Sequence, residues 1–336
     1  MYDMNHPSDN NHQVTLFTLI QKTLPQNLSL VNVISNLLDI SHDAAYRRIR
    51  GDKSVNFEEA VFLCNHFNIS LDSIAKVTNE KMIQCQYIPL DDLNSYTLYL
   101  QDLASSIENV RMAPDGELIF TAVDIPIYNY CAYKELTFLK LFSWANSAYG
   151  FTGNYNEFVT RFSSNELSRY FEQVSKNYLL CPSTEVWTDT TIDRILKMIF
   201  YHYEMGHLGN EDFPLLICEQ LLDLLNTFYH WTETGVKGAT ETPFKFYVSD
   251  VDLSNTIVLF RENETANCDI KLFPINHFDV FDRRFCREAE SWLHSAIQRS
   301  TLITGAAEKL KHKFFNGQRQ KISYLIDKIL ANTKGG

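Results

Sequence analysis

Apolar residues recur at three- and four-residue spacings in five short runs near the start of the chain. Leu16, Phe17, Ile20 and Leu24 share one helical face, which Pro25 ends because its ring cannot continue the hydrogen-bond ladder. Val33, Ile34, Leu37 and Leu38 form a second stripe that closes at Asp39-Ile40. Ser41 is suited to cap a third helix running to Arg50, and Gly51 supplies a left-handed exit. Phe57, Ala60, Val61, Cys64 and Phe67 make the most regular stripe of the chain, with Asn56 as cap. Asn68-Ile69-Ser70 then turns the chain into a last short helix carrying Leu71, Ile74 and Ala75. The residues before Val14 are polar and offer nothing to pack, so 1–13 is expected to be a disordered tail and 14–80 a helical domain. The pattern lapses over 81–91, with Pro89 and the Asp91-Asp92 pair, and a linker is expected there.

Residues 92–336 read as a larger, mostly helical domain, with a break near 237 as the place where it would divide. Aromatic-rich helices are predicted over 92–112, 132–149, 155–180, 190–205 and 212–232, and two more over 281–299 and 305–331. Strand signals are fewer. Pro114-Asp115-Gly116 is a turn leading into a strand over Leu118–Val123. Phe244, Phe246 and Val248 alternate with Lys245, Tyr247 and Ser249, and Thr256–Phe260 and Asp269–Phe273 follow, which predicts a three-stranded meander. No repeat or low-complexity tract interrupts the pattern.

Composition narrows the class. With 336 residues, 45% of them hydrophobic, the chain can bury a full core and exceeds one small domain. No apolar run is long enough to span a bilayer and the start lacks a hydrophobic signal core, so a cytoplasmic protein without membrane contact is expected. Seven scattered cysteines without a CxxC pair argue against both a disulfide framework and a zinc site. The formal net charge of -11 disfavours a duplex-binding surface spread over the whole protein. Residues 1–80 hold six Lys/Arg and nine Asp/Glu, and the remainder 24 and 32, so neither part is basic overall. Within Ser41–Lys53, however, Arg47, Arg48, Arg50 and Lys53 face only Asp43 and Asp52, a local basic segment in an acidic chain.

The run Leu38–Gly51, LDISHDAAYRRIRG, with DKSVNFEEAVFLCNHFNISLDSI after it, resembles the Cro/C1-type (lambda-repressor-like) helix-turn-helix family of phage and bacterial regulators. Leu38, Ile40, Ser41, Arg50, Gly51, Phe57, Glu59, Ala60, Phe67, Ile69, Ser70, Leu71 and Asp72 follow the family's order, and the likeness covers about 65 residues. It implies a lambda-repressor-like five-helix N-terminal domain, so the expected fold is mainly α, completed by the larger helical domain with a small antiparallel β-sheet. It also implies a transcriptional regulator, acting on double-stranded DNA as a homodimer, with helix 41–50 in the major groove. By position His42, Asp43, Ala44 and Arg47 would meet base edges, and Ser41, Tyr46, Arg48, Arg50 and Lys53 would hold phosphates. Four basic side chains on phosphates would give a salt slope of at most about -3.6 per half-site. Asp43 suits the helix dipole but repels phosphate. The C-terminal domain would sense a small-molecule or protein effector, or pair two chains.

Two other classes are weighed beside this one: a protein-interaction module without DNA contact, and an enzyme with a DNA-binding head. No GxGxxG, GxxxxGK[ST] or GxSxG occurs, so neither nucleotide chemistry nor a serine hydrolase elbow is signalled, and no catalytic residue or cofactor is assigned. His202, Glu204 and His207 are a suggestive cluster, but a separation of five between the histidines breaks the i, i+4 geometry of HExxH. Asp250-Val251-Asp252 lacks the rest of a calcium loop, and no metal site is expected. The aromatic run from Tyr128 and Tyr130 through Phe142, Phe151 and Tyr155 to Phe162 fits an ordinary core better than an effector pocket. Ile322, Leu325, Ile326, Ile329 and Leu330 form a stripe that either seams a dimer or packs on its own domain.

Overall fold

A computed structural model describes residues 12–24, 28–67, 69–75, 83–209, 212–263, 265–272 and 275–334. The chain divides into two compact units, Met1–Met82 and Ile83–Gly336. Pro25, Asn68, most of the tail predicted over 1–13 and the first part of the predicted linker lie outside the described residues.

The first unit contains α1 (His12–Thr23), α2 (Leu30–Leu37), α3 (His42–Arg50), α4 (Phe57–His66) and α5 (Leu71–Ala75). Its core is Leu16, Phe17, Ile20, Ile34, Ala45, Leu63, Cys64 and Ile74, the apolar positions of the stripes. The first helix begins before Val14, and Gln13 supplies the reason. Its amide donates to the Arg48 and Lys53 carbonyls at 2.6 and 2.8 Å and accepts from the Val55 N–H at 2.9 Å, tying the first turn of α1 to the chain leaving α3. Asp39, in the turn between α2 and α3, has φ 49, a left-handed conformation that Asp tolerates better than most residues.

The second unit runs β1 (Cys85–Gln86), α6 (Leu93–Met112), β2 (Glu117–Ala122), α7 (Ile127–Tyr130), α8 (Lys134–Tyr149), α9 (Tyr155–Phe162), α10 (Asn165–Leu179) and β3 (Ser183–Thr188). It continues with α11 (Asp193–Glu204), α12 (Asp212–Thr234), β4 (Val236–Lys237), β5 (Thr242–Ser249), β6 (Ile257–Glu262), β7 (Thr265–Lys271), β8 (His277–Val280), α13 (Arg283–Gln298), β9 (Thr301–Leu302) and α14 (Glu308–Lys334). Helices predominate, as expected, but the sheet is neither small nor purely antiparallel. Among the described residues nine strands lie in the order β1-β8-β7-β6-β2-β3-β5-β4, with β9 on β5, and β2, β3 and β5 are parallel to one another. The meander is therefore β6-β7-β8, and the strand of Phe244 and Phe246 belongs beside β3 instead.

Alternation along the strands sorts the two sheet faces. Leu118, Phe120, Val258 and Phe260 enter the large core under α6, α8, α10, α12 and α14, while Ile119, Leu259, Cys268 and Val280 pack on α13. The expected linker is partly absorbed into this unit: β1 pairs with β8, and the buried Leu90 carbonyl accepts from the Trp144 indole at 3.2 Å. The helix predicted over 155–180 breaks at Ser163-Ser164, because Ser164 accepts from the Leu167 N–H and starts a new helix. Ile322, Leu325 and Ile329 of α14 are buried in the large core, so the stripe packs on its own domain.

Candidate nucleic-acid interface

Each end of α3 is fixed locally. The Ser41 hydroxyl accepts from the Ala44 N–H at 3.3 Å, and Asp43 sits in the first turn where the helix dipole favours a negative charge. Gly51, at φ 85, ends the helix, with its N–H on the Arg48 carbonyl and the Asp52 and Lys53 N–H groups on the Arg47 carbonyl. One side of the helix points into the unit: Ala45 is fully buried and Ile49 half-buried. The other side is open. Asp43, Tyr46, Arg47 and Arg50 fall at the three- and four-residue spacings of a single stripe, all exposed, flanked by exposed His42 and Ser41 at the start and Lys53 after the exit. Ala44 is half-buried. The Arg50 guanidinium lies 5.7 Å from the Tyr46 ring centroid and 3.7 Å from the Asp52 carboxylate.

Arg48 does not belong to this surface, which corrects its assignment to a phosphate. Its side chain is buried and reaches α4, where Nη2 and Nε donate to the two Glu59 carboxylate oxygens at 2.8 and 3.3 Å. Glu59 also accepts from the Asn56 N–H at 3.1 Å, closing the capping box that starts α4. Partial burial alone would raise the Glu59 carboxyl, but Arg48, the Asn56 N–H and the charge of Lys53 together hold it below its ordinary value. The sequence marked four cations in 41–53; the fold directs three of them outward.

A second polar group lay unmarked in the sequence. On β7 and β8, Asp269 stands directly opposite Asp279, and His277 is two residues back on the same face. The His277 Nε2 lies 2.9 Å from an Asp279 oxygen and 3.5 Å from an Asp269 oxygen, and the donor atoms of all three are within 4.8 Å of one another. Burial would lower His277, but the two carboxylates outweigh it and raise the imidazole to about 9. Asp269 is held well above the usual carboxylate range by burial and by Asp279. Beside this group, Asp124 accepts from Lys140 and Lys271, each at 2.7 Å, and Lys271 faces His277 across the strands. The only sequence signal was polar residues alternating through strands where core residues were due.

The remaining candidates are accounted for within the unit. His202 and His207 do meet, Nδ1 to Nδ1 at 3.0 Å, because Gly206 turns the chain at φ 68, but Glu204 is exposed. Ser249 holds the turn of Asp250–Asp252 through hydrogen bonds to the Val251 backbone. Tyr130, Phe138, Phe142, Trp144, Tyr155 and Phe158 are buried core, while Tyr149, Phe151 and Phe162 line an open cleft. No helix among the described residues is long and apolar enough to cross a membrane. No family model, curated protein or solved structure matches the chain.

Proposed function

We propose that the chain is a sequence-specific DNA-binding transcriptional regulator that sets α3 in the major groove. One observation carries this reading: a helix fixed at both ends presents Tyr46, Arg47 and Arg50 on one exposed stripe, while Arg48 holds its other side against α4. Arg47 can grip a guanine edge through two hydrogen bonds, His42 and Asp43 meet neighbouring bases, and Ser41, Tyr46, Arg50 and Lys53 reach phosphates. The likeness of this N-terminal segment to lambda-repressor-like domains supports the same placement. The protein acts as a homodimer on two half-sites about one helical turn apart, which multiplies the modest affinity of a nine-residue helix. The second unit supplies self-association or effector sensing.

The test is a mobility shift of the full chain on genomic fragments across a salt series. The two cations directed at phosphates, Arg50 and Lys53, predict a slope of about -1.8 per half-site, since each phosphate contact contributes about -0.9. Arg47→Ala should lower specific affinity by about tenfold or more, because a two-point guanine contact is worth roughly 1–3 kcal/mol. Binding that is insensitive to salt, or equal in Arg47→Ala, ends the reading.

A further inference from the structure

We infer that Asp269, His277 and Asp279 form a binding site for a divalent first-row transition-metal ion, with Mn2+ and Zn2+ as the ions to try. The inference is independent of DNA binding. Its first support is geometric. Two donors that bind one ion at about 2.1 Å and at right angles stand about 3.0 Å apart, and tetrahedral donors about 3.4 Å apart. The His277 nitrogen lies 2.9 and 3.5 Å from the nearest oxygens of Asp279 and Asp269, so small side-chain adjustments suffice to gather all three around one ion. The backbone arranges this: a cross-strand pair and an i, i+2 pair are the two relations that put three side chains on one patch of a sheet face.

The second support comes from what stands over the patch. A cavity of about 40 Å³, room for an ion with one or two waters, is lined by Asp269 and His277 together with Tyr99, Tyr128 and Lys271. Tyr128 is 3% exposed, and its hydroxyl has no hydrogen-bond partner among the described residues, an expensive arrangement unless a guest in the cavity, such as a water carried on an ion, meets it. Asp124, which neighbours the patch through Lys271, is already matched by Lys140 and Lys271, so the Asp269 and Asp279 carboxylates have His277 as their own cationic partner, whose proton a metal ion would replace. One imidazole among carboxylates suits a transition ion better than Ca2+ or Mg2+, which take oxygen.

The experiment strips the full chain with a chelator and titrates it separately with MnCl2 and ZnCl2, reading bound metal by equilibrium dialysis and elemental analysis. One equivalent of at least one ion should bind, and Asp269→Asn and Asp279→Asn should each weaken it by about tenfold or more. Cys85→Ser, at the exposed thiol, should leave it unchanged. Circular dichroism checks that each variant is folded. Crystals grown with MnCl2 give a readout that needs no variant, an anomalous peak within bonding distance of the His277 Nε2. An absence of stoichiometric binding, binding that survives both Asn variants, binding lost in Cys85→Ser, or a peak elsewhere would reduce the group to an imidazolium between two carboxylates and overturn the inference.

Discussion

Neighbouring side chains on α3 have opposite duties. Arg47 faces outward and Arg48 is sealed against Glu59, so truncating them must do different things. Arg48→Ala leaves the half-buried Glu59 carboxylate with only the Asn56 N–H and frees α4 from α3, which should destabilise the first unit by on the order of 2 kcal/mol. Chemical denaturation followed by a probe in the first unit checks it; a loss below about 0.5 kcal/mol would mean that the pair is only a surface contact. In the second unit, His202 is almost wholly buried, and burial, then the neighbouring His207, lowers its imidazole to about 4. The unfolded chain takes up that proton near pH 6.5 and the folded chain only near 4, so stability is complete above the first value and falls as pH drops through the interval. The loss over that window is on the order of 3 kcal/mol. Urea midpoints at pH 7.5 and 4.5 should differ more for the wild-type chain than for His202→Gln, and an equal difference would refute the assignment.

Helices were legible where caps and stripes agreed. The Ser41–Gly51 segment could be read because cap, first-turn acid and glycine exit all act within the segment itself, and α6 likewise begins where Asp92 caps it. Ser41→Ala should therefore cost about 1 kcal/mol of stability in the first unit and fray the start of α3, seen as faster amide exchange at Ala44. Unchanged exchange there would show that packing alone holds the turn. Strands were less legible. The central strand β3, Ser-Thr-Glu-Val-Trp-Thr, is buried on both faces yet carries Glu185, whose charge hides it from a hydrophobic reading. Inside the fold that carboxyl is satisfied by Tyr178, Ser183 and Trp187, and partners brought together by tertiary geometry rather than by a repeating spacing leave no mark in a hydrophobic pattern. The same blindness kept Asp269, His277 and Asp279 apart until register joined them, and it counted Arg48 among the cations available to DNA because Glu59 lies eleven residues away.

Across the whole chain, each of the two units carries its own hydrophobic core. Calorimetry of the full protein should therefore resolve two transitions. Arg48→Ala should move the one belonging to the first unit. Gly116→Ala should move the other by about 2–3 kcal/mol, since an added methyl would stand 1.7 Å from the Val110 carbonyl oxygen. A single transition shifted by both variants would refute independent cores. The division of labour along α3 also has an evolutionary consequence. Since positions 42, 43, 46, 47 and 50 answer to the outside and positions 45, 48 and 49 to the interior, the first group can be rewritten while the second is kept. A library varied only at the outward positions should stay folded almost throughout and, on the proposed DNA-binding role, its members should prefer different operators, so that a new target could evolve without first repairing the scaffold.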